Sequence, residues 1–159
     1  MENDQAEARA LVERGLSDAE DAIRSHPPAT VALYESVLRE FAAGESPEND
    51  ASLALKFGVP QSDMLLSRRY LRAMAFMSAW YHLHGDKSRR DMAAQSAATL
   101  ATGLGFSAET SFQTLLAFEQ VWRSRLGAGG VAKGGCLGAI LLIVISGAWI
   151  GFAVAAASM

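Results

Sequence analysis

The chain reads as an all-α protein: a cytoplasmic bundle of about six helices followed by one C-terminal transmembrane helix. Three observations point there. Apolar residues recur at spacings of three and four through residues 1–126, and no stretch alternates with period two long enough to make a sheet. Proline and glycine punctuate that pattern at the places where helices start and stop. Finally, the 26 residues from Gly134 to Met159 carry no charge at all.

Residues 5–25 set Ala8, Leu11, Val12, Leu16, Ala19 and Ile23 on one stripe beneath a strongly acidic outer face, and His26-Pro27-Pro28 stops the helix. A second helix, 29–43, turns Val31, Leu33, Tyr34, Val37, Leu38 and Phe41 inward and ends at Gly44. Ser46-Pro47-Glu48 is a start signal for a short third helix, with a hydroxyl cap, proline at the first helical position and an acid in the first turn. That helix ends at Phe57-Gly58. The fourth, 61–84, contains YLRAMAFMSAWYHL, which is apolar on nearly every side apart from Arg72, Ser78 and His82. It is too short and interrupted to span a bilayer and belongs inside the bundle. Gly85 breaks it. A fifth helix, 86–102, has an alanine-rich inner side and stops at Gly103 and Gly105. Ser107 caps a sixth, which reaches Leu126 and presents Phe112, Leu115, Leu116, Phe118, Trp122 and Leu126 on one face.

The organisation expected is therefore a domain over 1–126, a linker over 127–135 with five glycines in nine residues, and a membrane helix over 136–157. Leu137 to Ala157 has Ser146 as its one polar side chain. As a helix it would be about 31 Å long, the thickness of a bilayer's hydrocarbon core. Arg123, Arg125 and Lys133 precede it and nothing charged follows, so the positive-inside rule leaves the N-terminal domain in the cytoplasm. The start of the chain, with Glu2, Asp4, Glu7 and Glu13, does not read as a signal peptide. Together these features describe a tail-anchored, single-pass protein. Gly147, Gly151 and Ala155 recur every four residues, a spacing that lets two membrane helices approach closely and form a homo-oligomer. Cys136, the sole cysteine, sits where the span begins. It is either a lipidation site or a small residue at a helix start.

Net charge is −3, but it is divided. Residues 1–50 hold 12 acidic and 4 basic side chains, whereas residues 51–133 hold 5 acidic and 10 basic. Either the acidic half docks on the basic half, or the basic half faces an anionic surface. Two basic clusters, Arg68-Arg69-Arg72 and Lys87-Arg89-Arg90, are expected on the surface near the two ends of the fourth helix, where lipid or nucleic-acid phosphates are candidate partners.

Leu53 to Met64, LALKFGVPQSDM, resembles the bacterial helix-turn-helix motif: Ala54, then Gly58 in the turn, Val59 after it, and apolar Leu53, Phe57 and Met64 inside. The resemblance implies that the second helix enters the major groove, with Gln61, Ser62, Leu65 and Leu66 toward bases and Arg68 and Arg69 toward phosphates. The segment departs from that pattern in its two leucines and in Asp63, which repels phosphate. A helical corner in a bundle accounts for it equally.

No catalytic motif is present, and an enzyme is not expected. His82 and His84 point to different sides of a helix and share no metal. GAGGVAK at 127–133 lacks a glycine that a phosphate loop requires. No cofactor is implied. The expectation is a tail-anchored adaptor or assembly protein that offers a helical surface to a protein partner; the alternative is a membrane-tethered helix-turn-helix regulator.

Overall fold

The computed structural model describes residues 2–128. Cys136, Gly147, Gly151, Ala155 and the expected span over 136–157 lie outside them. Six helices follow one another: α1 (Glu2–Arg24), α2 (Pro28–Ala43), α3 (Pro47–Phe57), α4 (Gln61–Leu83), α5 (Lys87–Thr102) and α6 (Ala108–Gly127). No strand occurs among the described residues. Nor is any described helix long and apolar enough to cross a membrane.

The boundaries follow local chemistry. The Ser46 hydroxyl accepts the Asn49 N–H at 3.2 Å, the Asp86 carboxylate accepts that of Arg89 at 3.0 Å, and Ser107 accepts that of Thr110 at 3.1 Å. Each satisfies a backbone donor that the first helical turn leaves unpaired. Helices α2 and α4 instead follow Pro27 and Pro60, whose fixed φ leads the chain into them. Gly58 closes α3 in the left-handed region at φ 65°, where a β-carbon is strained. Helix α6 reaches Gly127, so it takes in the first residue of the expected linker.

Helix α4 is the axis of the bundle, packed against α6, α5, α1 and α3. The sequence dictates this. Met64, Tyr70, Leu71, Ala73, Ala75, Phe76, Met77 and Ala79 are buried, and they lie all round the helix. Small residues let neighbours come near. Ala94, Ala97, Ala98 and Ala101 form the buried side of α5. At Gly103 a β-carbon would lie 2.8 Å from that of Ala8, so glycine sets how closely the turn after α5 approaches α1.

Aromatic rings fill the centre. Tyr34 stacks on Trp122 with centroids 5.2 Å apart, while Phe41 meets Phe118 and Trp122 edge to face. Phe76 completes the cluster against Tyr34 and Trp122. The Trp122 indole N–H donates to the Arg72 carbonyl at 3.0 Å, which satisfies the one polar atom of the largest buried side chain. Leu11, expected inside on α1, is 44% exposed, because the buried stripe of that helix runs through Val12, Leu16, Ala19 and Ile23.

Candidate functional site

The charge division seen in the sequence is spent largely inside the molecule. Arg68 and Arg72, expected at the surface, are 6% and 8% exposed. The apolar periphery of α4 carries them inward. Arg68 donates to Asp50 at 2.7 Å and pairs with Glu45 at 3.3 Å, and Arg72 pairs with Glu45. The Arg72 guanidinium also lies over the rings of Phe41, at 4.4 Å, and Phe118, at 5.0 Å. Burial pulls its pKa below the ordinary arginine value, and Glu45 acts in the opposite direction. Arg69 stays at the surface but grips Glu20 of α1 with two of its three guanidinium nitrogens, Nε at 3.0 Å and one terminal nitrogen at 2.7 Å. Acidic side chains of α1, the α2–α3 connection and α3 thus neutralise the basic face of α4.

The residues of the helix-turn-helix resemblance are placed by the same packing. Gln61 and Ser62 are exposed and Leu65 is 40% exposed, but Asp63 is buried and accepts from Arg9 at 2.7 Å and Gln5 at 3.2 Å. Helix α4 is packed against α1, α3, α5 and α6, and at its start Arg9 of α1 reaches Ser62 at 3.2 Å as well as Asp63. Of the arginines assigned to phosphates, Arg68 is internal and Arg69 is held by Glu20.

In the second cluster, Lys87 and Arg89 are exposed, and Arg89 sits over the Tyr81 ring at 5.9 Å. Arg90 turns toward α6, where its Nε and a terminal nitrogen each lie 3.1 Å from Glu119. That carboxylate, 1% exposed, also accepts the Ser78 hydroxyl at 2.7 Å. Glu119 escaped the sequence reading. Its signal was a lone carboxylate inside an apolar stripe, four residues after Leu115 and three before Trp122.

His84 Nδ1 lies 2.8 Å from the Trp80 carbonyl, and its ring lies against the Trp80 indole with centroids 4.2 Å apart. No group of three histidine, cysteine or acidic side chains among the described residues is arranged to hold a metal ion.

A groove of about 390 Å³ runs where α1, α4 and α5 meet. Tyr70, Met74 and Met77 of α4 line it, with Tyr81 above and Met92 of α5 opposite. Gly15 of α1 lies against the Tyr70 ring, where a β-carbon would come within 3.1 Å. Burial raises the Tyr70 hydroxyl pKa to about 12, and that of Tyr34 in the core likewise to about 12, with Glu20 adding to the latter. Met92 is 64% exposed, a large apolar side chain held out at the rim. Asp18 and Arg89 supply opposite charges at the edges. Sequence periodicity did not single out this groove, since it combines residues from three helices.

Comparison of the chain with protein-family models, with curated proteins and with solved structures finds no match.

Proposed function

We propose that the chain is a membrane-tethered adaptor whose helical domain, on the cytoplasmic face, binds an apolar segment of a partner protein in the groove between α1, α4 and α5. The observation that carries this reading is the lining of that groove. Three methionines and two tyrosines stand along one open channel, and its most exposed apolar member, Met92, has no packing role in the core. Methionine is unbranched and polarizable, so a methionine-lined surface adapts to helical ligands of differing shape. An amphipathic helix laid in such a channel buries its apolar stripe, and the opposed charges of Asp18 and Arg89 would orient it. The tether is supplied by the uncharged segment beyond Lys133, and the small-residue spacing of Gly147, Gly151 and Ala155 would pair two such tethers. The alternative regulator has less support: Gln61 and Ser62 are exposed, but Arg68 faces inward and Arg69 is paired with Glu20.

The test places a photoreactive amino acid at Met92 in the full-length chain within native membranes, with a second at exposed Gln113 on α6 as a control. A discrete crosslinked protein is expected from position 92 and not from 113, and its yield should fall at least about tenfold when Met74→Glu puts a charge in the channel. Equal labelling from both positions, or labelling indifferent to Met74→Glu, would sink the adaptor reading.

A further inference from the structure

A second cavity, on the face of the bundle lined by α6 and the α4–α5 corner, has the chemistry of a ligand site. It measures about 490 Å³. Helix α6 supplies Leu116, Glu119, Gln120, Arg123 and Ser124, which recur at spacings of three and four on one stripe, and the α4–α5 corner supplies Leu83 and Arg90. The floor is the buried Glu119 carboxylate. Arg90 and Ser78 bind it closely, at 3.1 Å and 2.7 Å. Arg123 comes no nearer than 3.8 Å and keeps 42% of its side chain exposed. One carboxylate therefore stands beneath two guanidiniums, and the cavity keeps a net positive charge. Asp91 approaches Arg90 from the solvent side at 3.7 Å but does not line the cavity, and exposed Lys87 lies one turn before Arg90 on the same helix.

We infer that this cavity is an anion site that binds a phosphate ester. Glu119 fixes the Arg90 guanidinium from below, so the arginine is held in place before a ligand arrives. Arg123 then offers a planar pair of donors to phosphate oxygens. Gln120 and Ser124 add a carboxamide and a hydroxyl donor at the rim. The volume exceeds that of a bare phosphate, and the exposed Leu83 and half-buried Leu116 make one wall apolar. That wall suits the carbon substituent of an ester. Two sources share this chemistry: a soluble organophosphate and the headgroup of an anionic phospholipid. The inference is independent of the methionine groove, which lies on other faces of α4 and α5.

The experiment titrates the full-length chain, held in a neutral detergent, by calorimetry. One arm adds inorganic phosphate, a second glycerol 3-phosphate, and a third mixed micelles of phosphatidylglycerol against phosphatidylcholine. Saturable binding of glycerol 3-phosphate, tighter than inorganic phosphate, is the expected result if the source is soluble. Binding of phosphatidylglycerol micelles alone is expected if the source is lipid. In either case Arg123→Gln should weaken binding at least about tenfold, with Arg123→Lys recovering part of the loss. Gln120→Glu, an exposed change that adds a carboxylate at the rim, should weaken it comparably. Arg39→Gln, an exposed change on α2, should leave it unchanged. No binding in any arm, or binding that Arg123→Gln and Gln120→Glu leave intact, overturns the inference.

Discussion

The pairing of Glu45 with Arg72 gives the sharpest test of how the N-terminal half is held to the central helix. Arg72 lies in the middle of α4, its side chain 9% exposed, and meets Glu45 from the α2–α3 connection. Its other close neighbours are the Phe41 and Phe118 rings, and its Nε has no hydrogen-bond partner. Arg68 shares Glu45 but keeps Asp50 at 2.7 Å. Loss of the Glu45 charge therefore falls mainly on Arg72, which is left buried between two aromatic rings with Asp50 as its remaining nearby acid. Removing one partner of a buried pair costs about 3–5 kcal/mol, and the partial exposure of Glu45 and the nearby Asp50 charge put this pair at the lower end. Glu45→Ala should then destabilise the domain by about 3 kcal/mol. Glu45→Gln, which keeps an oxygen toward the guanidinium, should cost about 2 kcal/mol. The double change Glu45→Gln with Arg72→Met should be less damaging than Glu45→Gln alone, because no buried charge remains. Urea unfolding of residues 1–128, followed by circular dichroism, measures all three. A loss below about 1 kcal/mol for Glu45→Ala would refute the argument that this pair bridges the halves.

Two further outcomes follow from the packing. The Tyr34 and Tyr70 hydroxyls, both raised to about 12, hold their protons in the folded state after the unfolded chain has lost them near pH 10. Their contribution is whole below pH 10 and is lost as pH rises toward 12, so unfolding midpoints measured at pH 9, 10.5 and 11.5 should fall stepwise; a flat profile contradicts the burial argument. Gly103→Ala places a methyl 2.8 Å from the Ala8 β-carbon and should cost about 1–3 kcal/mol in the same assay, whereas a neutral result would show that α1 yields without loss.

Much of this architecture is written locally. Ser46-Pro47, Asp86 and Ser107 start helices because their side chains serve unpaired backbone donors, and Gly58 ends one because it alone tolerates the left-handed turn. The alanine side of α5 and the all-round apolar surface of α4 declared which element would be central before any contact was known. Local pattern does not say which acid meets which base. Glu45 and Arg72 stand 27 residues apart, Glu20 and Arg69 49 apart. Both pairings depend on α1 and α2 folding back along α4. That return turned two arginines, readable from sequence as a surface patch, into buried partners of acids. The same long-range packing set Glu119 beneath Arg90 and gathered Met74, Met77 and Met92 along one channel. Periodicity reports one helix at a time, and each of these sites is made by side chains of at least two.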